Sequence, residues 1–288
     1  MKRLFKATVL LLILLMGLGC VSVFASNGQN GIFDFYEGMP PTQTKKYDVT
    51  GDGKKDTVSY EWNEQKMQQI LKVNGKRINK WEFMDGKWAW VTVVSAGGKD
   101  FLEIETDDWR ALTLKCGLYQ VKNNKLKKIL DYSSLFNKKT LLQNDFADTG
   151  TECSYLEARK VKGNTIYLGG TLATKSVGQV NFSGLKLKYQ NGKFTLSTAT
   201  AKAVSTPRDK DGKLVSYFTA KKKITAYKEA GSSAKAFSIA KGKQFKITKM
   251  KVLNKQIYLR VRTKSGKLGW IKSGKSKLVT VRTPYVEE

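Results

Sequence analysis

Three asparagine turns set the rhythm of this chain. Asn74-Gly75, Asn123-Asn124 and Asn191-Gly192 each stand between two short segments in which apolar and polar residues alternate. Gln69–Val73 runs into the first turn and Lys76–Phe83 returns from it. Leu112–Val121 and Leu126–Tyr132 flank the second, Leu185–Tyr189 and Phe194–Ser197 the third. Asparagine and glycine tolerate positive φ, which a tight hairpin turn demands. Alternation with period two is the mark of a strand buried on one face. Only 4 prolines occur in 288 residues. The pattern predicts an all-β chain of antiparallel hairpins, a partial-propeller or sandwich-like assembly through residue 200 and a small barrel after it.

One segment breaks the one-faced rule. Trp88, Trp90 and Val94 fall on one face of a strand, and Ala89, Val91 and Val93 on the other. Such a strand is central, covered on both sides. Gly97-Gly98 turns it into Phe101–Glu105. Five of the 6 tryptophans lie between Trp62 and Trp109, where they are expected in the core. Phe33, Phe35 and Tyr36 are expected to dock on the first sheet.

The first 25 residues read as a secretory signal peptide. Lys2, Arg3 and Lys6 give a positive start, Val9 to Met16 is unbroken apolar, and Val23-Phe24-Ala25 supplies small residues for cleavage before Ser26. Two alternatives stand beside it: Ala7 to Ala25 kept as an anchor, or Cys20 lipidated, although Gly17 occupies the place where a lipobox has Leu. An exported chain with two remaining cysteines, Cys116 and Cys153, suggests one disulfide. Two buried free thiols are the alternative.

The net charge is +28. From Arg208 onward there are 22 basic residues against 5 acidic ones. An exported basic unit is expected to meet anionic wall polymers, lipid headgroups or acidic glycans rather than nucleic acid. A solvated basic surface without a dedicated ligand is the plain alternative.

Asp48-Val49-Thr50-Gly51-Asp52-Gly53-Lys54-Lys55-Asp56 places oxygen side chains at loop positions 1, 3, 5 and 9. Lys54, at position 7, would offer its carbonyl, and Gly53 marks the sharp turn around an ion. Crowded carboxylates repel unless a hard cation lies among them. Asp48, Thr50, Asp52, Lys54 and Asp56 are therefore candidate Ca2+ ligands, and a metal-free polar turn is the alternative. The strand-like Thr57–Trp62 that follows, and Ser59 at position 12, tell against an EF-hand. The loop resembles the aspartate-rich calcium loops of FG-GAP and VCBS-type repeats, which join two strands of a β-propeller blade. It occurs once.

Ser205-Thr206-Pro207 and Asp209-Lys210-Asp211-Gly212 suggest a linker over 201–216. Beyond it, the turn at Gly242 and the ending Gly269-Trp270-Ile271 resemble a bacterial SH3 (SH3b) domain over 217–282. The family's usual Asn-Val-Arg near the start is replaced by Ala226-Tyr227-Lys228. The resemblance implies a module that holds its protein to peptidoglycan or stem peptides, and Tyr227, Tyr258 and Trp270 are candidate ligand-surface aromatics, with core packing the competing role for Trp270.

Chemistry is limited by what is missing. Without histidine there is no Ser-His-Asp or Cys-His nucleophile system and no His-ligated zinc. Glu103 and Glu105 share a strand face, with Asp107 and Asp108 beyond; they offer a carboxylate pair for glycoside hydrolysis, and an exposed strand with acidic outward positions is the alternative. The expectation is a non-catalytic, calcium-stabilised, envelope-associated binding protein, secreted or held at the cell surface. The rivals are a wall-targeted hydrolase using Glu103 and a purely structural surface protein.

Overall fold

The structure is a computed structural model and describes residues 31–35, 42–63, 65–82, 87–108, 113–142, 156–197, 200–205, 207, 209, 211 and 213–281. The expected signal segment, Cys153 and Tyr36 lie outside the described residues.

The fold is all-β. A short strand, β1 (Ile32–Asp34), precedes a meander of β2 (Thr42–Tyr47), β3 (Asp56–Asn63), β4 (Gln68–Val73) and β5 (Lys76–Glu82), paired in that order. A second sheet has the order β1-β6-β7-β8-β9 and is built from β6 (Lys87–Ala96), β7 (Lys99–Asp108), β8 (Thr113–Lys122) and β9 (Lys125–Asp131) with β1 at its edge. Two 3-10 turns follow, Tyr132–Leu135 and Lys138–Thr140.

The third sheet takes the remaining described strands. Its first strands are β10 (Leu156–Lys162), β11 (Thr165–Thr174), β12 (Gly178–Gln190), β13 (Lys193–Leu196) and β14 (Ala201–Val204). It continues with β15 (Phe218–Thr219), β16 (Ile224–Tyr227), β17 (Lys235–Ile239), β18 (Gln244–Leu253), β19 (Gln256–Thr263) and β20 (Leu268–Lys272). Neighbours run β10-β11-β12-β14-β18-β19-β20-β16-β17, with β13 on β12 and β15 on β18.

The two faces of β6 explain the layering. Ala89, Val91 and Val93 pack with Val58, Leu71, Leu102 and Ile104 in one buried cluster, between the meander and the second sheet. Val94 and Ala96 join Phe101, Leu118 and Tyr132 in another, against Leu156, Ile166 and Leu187 of the third sheet. Polar groups pin the first interface: the Tyr60 hydroxyl donates to the Ala89 carbonyl at 2.6 Å and the Ala89 amide to Gln69 Oε1 at 2.8 Å. Phe35 is buried in the first cluster and Phe33 packs against it, as their aromatic character predicts. At the second interface, Phe101 meets the rings of Tyr189 and Phe194 with centroids 5.1 and 5.0 Å apart.

Two expectations about the C-terminal half are corrected. The third sheet is open, not a closed barrel. One edge of β18 is shared between β15 (Phe218↔Phe245) and β14 (Ala201↔Met250), which leaves β17 at the end of the path. The stretch 201–216 is also not free chain at its start, because β14 is hydrogen-bonded to β12 on one side and β18 on the other. Ala201 and Ala203 are buried, and one apolar cluster runs unbroken from Leu172 and Val180 to Phe218, Met250 and Leu259. Ser176 Oγ and Ser273 Oγ, both buried, lie 2.7 Å apart across the same junction.

Candidate functional site

The Asp48–Asp56 loop connects β2 to β3 and leans on the second sheet. The Asp48 amide donates to Asp100 Oδ2 at 2.8 Å, and the Val121 amide to the Val49 carbonyl at 2.9 Å. Asp100 also accepts from Ser95 Oγ at 2.6 Å and from Lys55 Nζ at 3.2 Å. Burial alone would push the Asp100 carboxyl up, but Ser95, the Asp48 amide and the Lys55 ammonium outweigh it and hold it below the usual carboxylate range.

Inside the loop, backbone amides face the carboxylates. Asp48 accepts from the amides of Gly51 (2.8 Å) and Gly53 (3.0 Å). Asp56 accepts from the Thr50 amide (2.9 Å) and from Asn74 Nδ2 (2.8 Å). Gly51 and Gly53 have φ of 77° and 89°, the left-handed conformation that turns their amides inward at little cost. Asp52 is exposed and accepts from the Lys54 amide at 2.8 Å. The loop thus turns Asp48 and Asp56 inward and Asp52 outward. Mutual repulsion of the acids is relieved by amide dipoles. Among the described residues, no three His, Cys, Asp or Glu side chains converge on a common centre that could hold a metal.

One atom in the loop is unsatisfied. Thr50 Oγ1 is buried and has no hydrogen-bond partner. Thr50 also borders an open depression of about 360 Å³ with Asn74, Lys76, Lys122 and Asn124. The donor set of Asp48, Thr50 and Asp56, two carboxylates and a bare hydroxyl oxygen, suits a hard cation in chemistry.

The candidate aromatics lie on a second surface, the outer face of the third sheet. Met250, Leu259, Val261 and Ile271 point into the core, so Lys249, Lys251, Tyr258, Arg260, Arg262, Trp270 and Lys272 alternate outward. Directly opposite pairs are Lys246↔Arg262, Lys249↔Arg260 and Lys251↔Tyr258, then Arg260↔Trp270 and Tyr258↔Lys272, and Trp270↔Tyr227. The structure therefore gathers Tyr227, Tyr258 and Trp270 on one face and sets cations between them. Trp270 is buried, yet belongs to neither apolar cluster.

A β-bulge builds this face. Register slips between Ile247 and Lys249, so Thr248 and Lys249 together oppose Arg260. Lys246 and Lys249 are an odd number of residues apart and would otherwise point to opposite sides. With the bulge both face outward, where no ion pair forms with them among the described residues. The sequence had named the aromatics but not these cations.

Glu103 and Glu105 are placed otherwise than an exposed acidic strand would have them. Both are buried. Glu103 accepts the hydroxyl of Tyr132 and, at 2.8 Å, the amide of Ala158, joining the second sheet to the third. Burial, reinforced by the adjacent Glu103 charge, raises the Tyr132 phenol well above its ordinary value. Cys116 Sγ lies 2.7 Å from the Leu156 carbonyl on the same interface.

Comparisons with protein-family models, curated proteins and solved structures found no match to this chain.

Proposed function

We propose that this protein is an exported, non-catalytic binding protein of the cell envelope that holds an anionic wall polymer or acidic glycan on the outer face of its third sheet. The observation that supports this most is the run of like charges in register across β18 and β19. Lys246 opposes Arg262, and Lys249 opposes Arg260. Like charges directly opposite on a sheet are destabilising, by roughly 0.2–1 kcal/mol per pair. A face that keeps two such pairs with no ion pair formed to them among the described residues is complementary to an anion. Tyr258 beside them, partly exposed, offers flat apolar surface to a polymer backbone or sugar ring, while Trp270 is buried beneath this face. The SH3b resemblance points the same way, toward peptidoglycan or an attached polymer.

The test is sedimentation of the purified chain with isolated cell-wall material over a range of salt. Binding that weakens steeply as salt rises, and weakens further in Lys249→Glu, supports the reading. Failure to co-sediment at low salt overturns it and favours a purely structural role.

A second reading concerns the Asp48–Asp56 loop and rests on Thr50 Oγ1, the buried oxygen without a partner. Asp48, Thr50 and Asp56 would hold Ca2+, and Asp52, which faces outward, would stand outside the set. The ion would supply stability to the β2–β3 connection rather than chemistry.

A further inference from the structure

The basic face does not end where the SH3b-like unit begins. β14, in the stretch whose composition suggested a linker, is sewn to β18 with Lys202 directly opposite Lys249. On its other edge Lys202 stands opposite Ser183 of β12. Ala201 and Ala203 point into the core, and Lys202 is exposed. One register line therefore crosses six strands: Ser183, Lys202, Lys249, Arg260, Trp270, Tyr227. At ~4.8 Å between strands its five steps cover roughly 24 Å. Three successive members are cations, and no described acidic side chain forms an ion pair with them.

We infer that this line is the binding track for a linear polyanion lying across the strands, and that Lys202, from outside the SH3b-like unit, is one of its contacts. The inference rests on the proposed binding face and specifies its ligand. Three cations spaced by single interstrand steps match a chain with closely repeated charges. A lone anion would meet only one or two of them. Ser183 adds a hydroxyl donor at one end, and the partly exposed Tyr227, backed by buried Trp270, supplies an aromatic end at the other. A ligand lying along a single strand would instead follow Lys246, Lys249 and Lys251 and would leave Lys202 untouched.

The experiment uses the full chain and long-chain inorganic polyphosphate as probe, with orthophosphate at equal phosphate concentration beside it. Each lost contact should weaken binding severalfold and reduce the slope of log affinity against log salt by about one. The variants are Lys202→Ala, Lys249→Ala and, as an exposed control on β9 of the second sheet, Lys127→Ala. The track is supported when Lys202→Ala and Lys249→Ala each lower the slope, Lys127→Ala does not, and orthophosphate fails to compete. When Lys249→Ala lowers the slope but Lys202→Ala behaves like the control, the transverse track is overturned while the basic face survives. When orthophosphate competes as well as the polymer, the polymer requirement is overturned. When none of the variants differs from wild type, the binding face itself falls, and the track with it. Thermal melts of each variant without probe confirm that all are folded.

Discussion

Lys249 stands directly opposite Arg260 across the β18–β19 ladder, and directly opposite Lys202 on its other side. A cation between two cations is a poor arrangement for the sheet alone. Lys249→Glu should turn both contacts into attractive cross-strand pairs and stabilise the fold by roughly 0.5–1 kcal/mol. The same change should weaken co-sedimentation with wall material severalfold. Thermal or urea melts read the first effect and the salt-dependent pelleting assay the second. A variant that is less stable, or that binds as well as wild type, contradicts the assignment of this face to an anionic ligand.

Glu103 gives the second prediction. Its carboxylate is shared by the Tyr132 hydroxyl and the Ala158 amide at the boundary between two buried layers. Removing it in Glu103→Ala leaves two buried donors unsatisfied, at about 1–3 kcal/mol each. The expected result is a large loss of stability with wall binding by the folded fraction unchanged. If Glu103→Gln instead keeps wild-type stability and removes a measurable turnover of wall fragments, the hydrolase alternative replaces the binding one.

Asp100 makes the fold sensitive to acid. Its folded carboxyl sits below the ordinary range. The unfolded chain, with the higher value, takes up the proton first, so the stabilisation is complete above the unfolded carboxylate value of ~3.9. It is lost progressively as pH falls through the depressed folded value. Asp100→Asn removes this dependence. It also weakens the contacts to Ser95, Lys55 and the Asp48 amide. Urea midpoints measured from neutral pH down to about pH 3 should fall less steeply in Asp100→Asn than in wild type, from a lower starting point. Parallel curves would show that Asp100 does not carry the acid limb.

Much of the strand layout was legible because period two is a local property. Gln69–Val73 is strand in both readings, the Asn turns fall between paired strands, and the two apolar faces of β6 do meet two different cores. What escaped the sequence was long-range. Ala201–Val204 is too short to reveal its alternation among turn residues, and its partner strand β18 lies more than forty residues on. Glu103 and Glu105 alternate as an outward acidic face would, but the third sheet covers that face, and the Ala158 partner is 55 residues away. The row of cations is spread over separate strands and is rephased by the bulge at Thr248. It becomes visible only when register is known. The loop was recognised by spacing, but spacing says nothing of which way Asp52 points.

The loop carries the last prediction. Thr50 Oγ1 is buried without a partner, while Asp48 and Asp56 are each held by two N–H donors. Each carboxylate oxygen that accepts one such bond keeps a lone pair for an ion. If calcium enters, it binds the folded loop and not the unfolded chain, so stability rises as RT ln(1 + [Ca]/Kd), about 2.7 kcal/mol at a hundredfold excess over Kd. Thermal melts with calcium, and with chelator, should differ in wild type. The difference should persist in Asp52→Ala, whose side chain faces outward, and vanish in Asp48→Asn, whose side chain keeps an acceptor for one of the loop amides. Thr50→Val separates the two readings of the orphan hydroxyl. Without a bound ion, replacing an unsatisfied buried oxygen by a methyl group is neutral or stabilising. With calcium present, the same substitution should cost part of the calcium-dependent shift. Identical melts with and without calcium in wild type, together with a more stable Thr50→Val, would make this a metal-free turn closed by its own amides.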